Sequence, residues 1–189
     1  MIDKKDFSKI RERLARYDSD REDLIKKSRD VLKLSKQLIY TIHRKDIREA
    51  KLLLGSLKKE KQNLDKLASS NARLFYEPSY SQAMQEYSEA LTYYGFIKDK
   101  KIPTVSALNV SEEDYLMGIC DLTGELARKA VTIAYKDQKE VEEIKNLVEE
   151  IFGEFLKFNL RNTELRRKSD SIKWNLKKLE EIMYDIKKR

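Results

Sequence analysis

Cysteine, histidine, proline and glycine are scarce in this chain of 189 residues: one Cys, one His, two Pro and five Gly. A single cysteine, Cys120, excludes an intrachain disulfide framework and suits a reducing compartment. His43 alone supports neither a histidine-based triad nor a histidine-rich zinc site. There is no Gly-rich phosphate loop, no Cys-x-x-Cys pair and no nucleophile elbow. Enzymatic chemistry, if present, is thereby narrowed to carboxylates and a metal. No run of about 18 apolar residues exists, and the opening Met1-Ile2-Asp3-Lys4-Lys5 lacks an apolar leader region. The expectation is a soluble, cytoplasmic protein with no membrane partner.

Charge is what the chain has in abundance. Asp, Glu, Lys and Arg make up 39% of it, with a formal net charge of +7 and a pI near 9.2. That balance favours polyanionic partners, with both signs spread along the sequence. The length suits one domain, residues 1–189, with a sizeable core. Few Gly and Pro among many Lys, Glu, Leu and Ile predict an all-α fold.

Apolar periodicity divides the chain into six principal helices. Phe7, Ile10, Leu14, Tyr17, Leu24, Val31, Leu38 and Ile42 predict one core-facing helix over residues 3–43, its stripe interrupted by Arg21, Ser28 and Ser35, with a kink or restart at Asp18-Ser19-Asp20 as the alternative. Asp46 with Glu49 opens the second, which runs to about Ala68 and carries a cluster of Lys58, Lys59, Lys61 and Lys66. Those lysines read as a solvated face, with phosphate contact as the alternative. Ser69-Ser70-Asn71 and Pro78 bracket a short helical turn, and Ser79 with Gln82 opens the third helix, with Met84, Tyr87, Leu91 and Tyr94 inward. A connection over 99–110 leads to the fourth helix, about 112–136, which Ser111 and Asp114 begin as a capping box. Asp137 with Glu140 starts the fifth. Asn162 is expected to cap the last, whose Leu165, Ile172, Leu176, Leu179, Met183 and Ile186 form a regular seam, within the core or between subunits.

Two acid pairs stand out. Asp121 and Glu125 are four apart, and Glu86 and Glu89 three apart, so each pair shares a helix face. The segment around Asp121 is unusual for this chain. No charge occurs from Tyr115 to Cys120, and Gly118 and Gly124 lie mid-helix, where each costs about 1 kcal/mol relative to Ala. Such glycines suggest a closely approached helix. If the two helices pack antiparallel, four carboxylates meet, and buried like charges demand a cation. A hard ion such as Mg²⁺ or Mn²⁺ accepts all-oxygen ligands. The competing reading is that acid pairs at this spacing arise by chance in a helical chain with 33 Asp plus Glu.

The segments Gln85-Glu86-Tyr87-Ser88-Glu89-Ala90 and Asp114-Tyr115-Leu116-Met117-Gly118-Ile119-Cys120-Asp121-Leu122-Thr123-Gly124-Glu125-Leu126 resemble the translin-associated factor X side of the translin family. The C-terminal Asn159-Leu160-Arg161-Asn162-Thr163-Glu164-Leu165-Arg166-Arg167-Lys168 is more similar to translin itself. The resemblance covers nearly the whole chain, and the two acid motifs are its most specific part. It implies an all-helical subunit of a hollow octamer that binds RNA or single-stranded DNA. Factor X-type subunits are Mg²⁺-dependent endoribonucleases, and translin-type subunits bind nucleic acid without the full acid set. Position by position, the family's acids fall on Glu86, Glu89, Asp121 and Glu125, the expected metal ligands and catalytic groups. A homo-oligomer of a single subunit type fits the mixed likeness.

The expected nucleic-acid contacts are basic. From Arg161 to Arg189 there are ten Lys or Arg against five Asp or Glu, densest at Arg161, Arg166, Arg167 and Lys168. Such a patch suits phosphate backbones or is a solvated surface. Arg128 shares a face with Glu125 and is either a phosphate clamp or its salt-bridge partner. Arg73, beside Phe75 and Tyr76, could contact phosphate while the rings stack on bases; the aromatics are otherwise core. Three functions stay open: a metal-dependent endoribonuclease, a non-catalytic RNA or single-stranded DNA binder, and a helical scaffold.

Overall fold

The computed structural model describes residues 2–161 and 163–188. Among these residues there are seven α-helices, one 3-10 turn and no strand. The helices are α1 (Lys4–His43), α2 (Ile47–Ala68), α3 (Pro78–Asp99), α4 (Val105–Leu108), α5 (Glu112–Ile133), α6 (Gln138–Phe155) and α7 (Glu164–Lys187). The six long helices are those expected from periodicity; the short α4 lies inside the segment read as the connection over 99–110. The chain divides into two compact units, Met1–Tyr87 and Ser88–Arg189, and the division falls within the continuous helix α3.

Helix starts follow their side-chain chemistry. Asp46, Ser111 and Asp137 each accept from the backbone N–H three residues on, satisfying a donor that the first turn leaves unpaired. Ser111 also donates to Asp114 Oδ2 at 2.8 Å. Helix α3 begins at Pro78, one residue before the expected Ser79, because proline at a first helical position gives up no needed donor. Helix α7 has Thr163 at its cap position; Asn162, expected there, lies outside the described residues.

In the first unit, α1 packs against α2, and α2 against the 3-10 turn Ala72–Tyr76. Leu24, Val31 and Leu38 of α1 meet a core that includes Leu57 and Leu64, all fully buried. Ser28 and Ser35 are buried in the same stripe, and Ser35 bonds back to the Val31 carbonyl. The predicted stripe is core-facing only from Leu24 onward. Phe7, Ile10 and Leu14 are exposed by 51, 43 and 51%: the periodicity continues through the first turns, but among the described residues nothing covers them. Lys61 is no part of a solvated face. It is buried, pairs with Asp65 at 2.7 Å, and sits over the Tyr87 ring. Tyr80 donates to the other oxygen of Asp65 at 2.9 Å.

In the second unit, α5, α6 and α7 pack on one another pairwise. The α7 seam is core: Leu165, Ile172, Leu176, Leu179 and Ile186 are buried. At the C-terminal end of α3, Tyr93 is fully buried, whereas Tyr94, expected inward, is half-buried. The connection that follows returns tightly. A Cβ on Gly95 would lie 2.7 Å from the Lys101 carbonyl oxygen and 2.8 Å from Pro103 Cδ. Tyr115 of α5 fixes the same turn by donating to the Pro103 carbonyl at 2.9 Å. Glu140 of α6 receives Lys100 at 2.8 Å and Lys129 at 3.4 Å, tying the connection and α5 to α6.

Candidate functional site

Helix α5 carries its two acids among buried neighbours. Met117, Gly118, Ile119, Cys120, Leu122, Thr123 and Leu126 are all buried, which explains the uncharged run before Asp121. Burial pushes the Cys120 thiol up to about 12, so it is an inert packing group. Thr123 bonds to the Cys120 carbonyl, and Asn175 of α7 donates to Thr123 Oγ1 at 2.8 Å, setting α7 against this turn. Gly124 is less crowded than the sequence suggests. The nearest atom to a Cβ there would be Asn175 Nδ2 at 3.7 Å, an ordinary contact.

Asp121 and Glu125 lie one turn apart and feel one another's charge. Burial raises the proton affinity of Asp121 above the usual carboxylate range, and repulsion from Glu125 adds to it. Lys168 of α7 opposes both, with Nζ 2.5 Å from Asp121 Oδ2. Glu125 pairs with Arg128 at 3.5 Å, within its own helix. The Tyr93 hydroxyl lies in the field of Glu125 and Arg128, and its burial holds the phenol neutral. Asp121, Glu125, Arg128 and Lys168 are therefore one charged constellation in the second unit.

Glu89 is buried on α3. Glu86 lies in the first unit, where Lys36 of α1 approaches it at 3.6 Å. Arg161, Arg166 and Arg167 are exposed at the approach to and start of α7, while Lys168 turns partly inward. Carboxylate oxygens in i,i+3 and i,i+4 pairs match a hard divalent cation in kind. Among the described residues, however, no three His, Cys, Asp or Glu side chains stand together as a metal-holding group.

Arg73 has partners that the sequence did not suggest. It borders a recess of about 330 Å³ in the first unit with Arg13, Leu14, Arg16, Tyr17 and Asn71. Its guanidinium lies 5.8 Å from the centre of the Tyr17 ring. Tyr17 donates to Glu77, which also takes Arg21 Nε at 2.9 Å. These two bonds hold Glu77 below the usual carboxylate range, and the first of them holds Tyr17 above the usual phenol range. Phe75 and Tyr76 are not core: they are exposed by 41 and 87%, and Leu74 is the buried residue of the turn. Only Arg13 and Arg16, three apart on a helix face, gave a local sign of a basic patch; their meeting with Arg73 is tertiary.

Among the described residues no helix is long and apolar enough to cross a membrane. An uncharacterized protein of Methanocaldococcus jannaschii is 33% identical over 162 residues, covering 83% of this chain and 72% of that protein. Translin of Gallus gallus is 39% identical over 75 residues, or 39% of this chain and 33% of that protein. The translin-associated protein X homolog of Schizosaccharomyces pombe is 28% identical over 127 residues, 59% of this chain and 54% of that protein. The chain thus spans about a third of the translin and about half of the factor X homolog that it matches. Among solved structures, apo-NeC3PO superposes with a TM-score of 0.88 at 27% identity over 98% of both chains. A complex of AfC3PO with duplex RNA shares the fold, with a TM-score of 0.84 at 24% identity over 96% of both chains. The translin family model matches residues 19–189, and with the helical fold and the acid motifs in place the chain belongs to the translin family.

Proposed function

We propose that this chain is a metal-dependent endoribonuclease that binds RNA or single-stranded DNA as a subunit of a hollow translin-type oligomer, an octamer of identical chains acting in the cytoplasm. The observation that carries the reading is the Asp121–Glu125 pair on α5, partly buried and charge-coupled, with Lys168 and Arg128 beside it. Family membership and the duplex RNA bound in the AfC3PO complex support RNA as the polyanion.

The family resemblance assigns Glu86, Glu89, Asp121 and Glu125 to holding Mg²⁺ or Mn²⁺, although among the described residues no three of them stand together as a metal-holding group; the ion, when bound, would activate water and offset charge developing at a cleaved phosphodiester. The chain's own groups contribute separately. A carboxylate with raised proton affinity, such as Asp121, is a better proton acceptor. Arg128 and Lys168 are cations suited to phosphate oxygens, and Arg161, Arg166 and Arg167 extend the positive surface along α7. A second reading, binding without turnover, is favoured by one specific contact: Asp121 already has a cationic partner in Lys168.

The test is cleavage of an end-labelled single-stranded RNA with Mg²⁺ or Mn²⁺, with an EDTA control and the variants Glu89→Gln and Asp121→Asn. Light scattering and RNA binding would establish that each variant still assembles and binds. Metal-dependent cleavage lost in both variants supports the nuclease. Cleavage unchanged by both substitutions removes the site assignment, and binding without cleavage leaves the non-catalytic binder.

A further inference from the structure

Helix α1 begins with a length that the described residues leave uncovered. From Lys4 to Arg16 no side chain is buried, and Phe7, Ile10 and Leu14 line up on one face of that length. Helices of globular proteins draw most of their stability from packing such a face. Lys4 and Arg11, both exposed and seven residues apart, border the stripe along one edge.

The second unit carries an apolar groove of about 790 Å³, lined by Phe96, Tyr115, Leu116, Leu147, Ile151 and Phe155. Leu147, Ile151 and Phe155 follow one another at four-residue steps, so α6 offers a strip about 12 Å long. Phe7 to Leu14 rises about 10 Å, which matches it in length. Glu143 and Glu150 border the groove on α6, again seven residues apart and exposed. They share one edge of the strip, where Glu143 also meets Lys100 at 3.3 Å.

The two surfaces are complementary in pattern. One is an apolar stripe edged by two cations, the other an apolar strip edged by two carboxylates at the same spacing. Both belong to the same chain, so every copy presents one of each. Contacts between unlike patches run head to tail and generate a ring when the rotation closes.

We propose that the groove on α5 and α6 receives the first turns of α1 from a second copy of this chain. Phe7, Ile10 and Leu14 then lie on Leu147, Ile151 and Phe155, and Lys4 and Arg11 face the edge carrying Glu143 and Glu150. The inference rests on the oligomeric part of the proposed function and names the surfaces that join its subunits.

The experiment is size-exclusion chromatography with light scattering on the full chain over a range of concentrations. Wild type is compared with Arg11→Glu, with Glu150→Arg and with the two combined, all at exposed positions, with circular dichroism as the folding control. Either reversal alone should raise the concentration needed for half-assembly about tenfold or more, because like charges then meet across the contact. The combined variant restores opposite charges and should assemble as the wild type does. Co-expressed Ile10→Cys and Leu147→Cys chains, oxidised with copper phenanthroline, should give a disulfide-linked pair that neither chain gives alone; the native Cys120 is buried. A wild type whose assembly neither reversal weakens overturns the proposal and leaves the oligomer standing. So does weakening that the combined variant fails to relieve, or the absence of a cross-link between the two kinds of chain. A monomeric wild type overturns both the proposal and the oligomeric reading.

Discussion

Lys168 Nζ stands 2.5 Å from Asp121 Oδ2, so α7 supplies the counter-charge for the acid at the centre of α5. The pair is partly buried on both sides, with side chains 25 and 32% exposed. Replacing the ammonium in Lys168→Met removes the interaction that opposes desolvation at Asp121. Carboxyl NMR should then find Asp121 titrating at higher pH than in the wild type. An unchanged titration would mean that the two groups are not coupled in solution.

The same acid sets a segment of the stability–pH profile. Its proton affinity is raised in the folded chain, so the protonated form is favoured there. This group's stabilising contribution is complete below about pH 4, its ordinary titration range, and is lost as the pH rises through the raised value. Asp121→Asn should flatten that segment. Urea denaturation at a series of pH values between about 3 and 7 measures it, and a profile identical to the wild type would contradict the assignment.

Two glycines should respond in opposite directions. At Gly95 an added methyl meets the Lys101 carbonyl oxygen at 2.7 Å, so backbone must move. Gly95→Ala is expected to destabilise the chain by about 1–3 kcal/mol. At Gly124 the nearest contact would be 3.7 Å, leaving room for the methyl. Gly124→Ala should stabilise by about 0.5–1 kcal/mol through helix propensity. Denaturation midpoints of the two variants, measured side by side, should move apart.

Asp65 holds the buried ammonium of Lys61 and the hydroxyl of Tyr80. Asp65→Ala takes the carboxylate from a cation with little solvent, and should cost about 3 kcal/mol. Asp65→Ala combined with Lys61→Met should recover part of that loss, because the buried ammonium and the carboxylate that meets it are then removed together. Chemical denaturation of the single and double variants tests both statements; a double variant no more stable than the single one would show that the ion pair is not the cause.

Lys45 follows the last turn of α1 with a positive φ of 62°. A side chain in that left-handed conformation costs roughly 1 kcal/mol more than glycine would. Lys45→Gly should raise the thermal midpoint, as scanning calorimetry would show; a lowered midpoint would mean that the lysine side chain contributes more than its backbone costs.

Much of the fold was written in local chemistry. The caps at Asp46, Ser111 and Asp137, the breaks around Ser69 and Pro78, and the regular seam of α7 are interactions within a few residues, and sequence spacing determines them directly. The sequence also determined which acids share a face, since Asp121 and Glu125 need only a helix to be neighbours. Tertiary structure alone decided what meets those faces. Periodicity runs unbroken through Phe7, Ile10 and Leu14, yet burial begins at Leu24, because a stripe records where a helix can be covered and not whether anything covers it. Lys61 looked like any surface lysine until Asp65 and Tyr87 closed over it. Lys168 reaching Asp121, and Arg13 and Arg16 lining one recess with Arg73, bring together residues far apart in the chain. Their encounters depend on how helices pack, a long-range balance of burial and charge that no local pattern encodes.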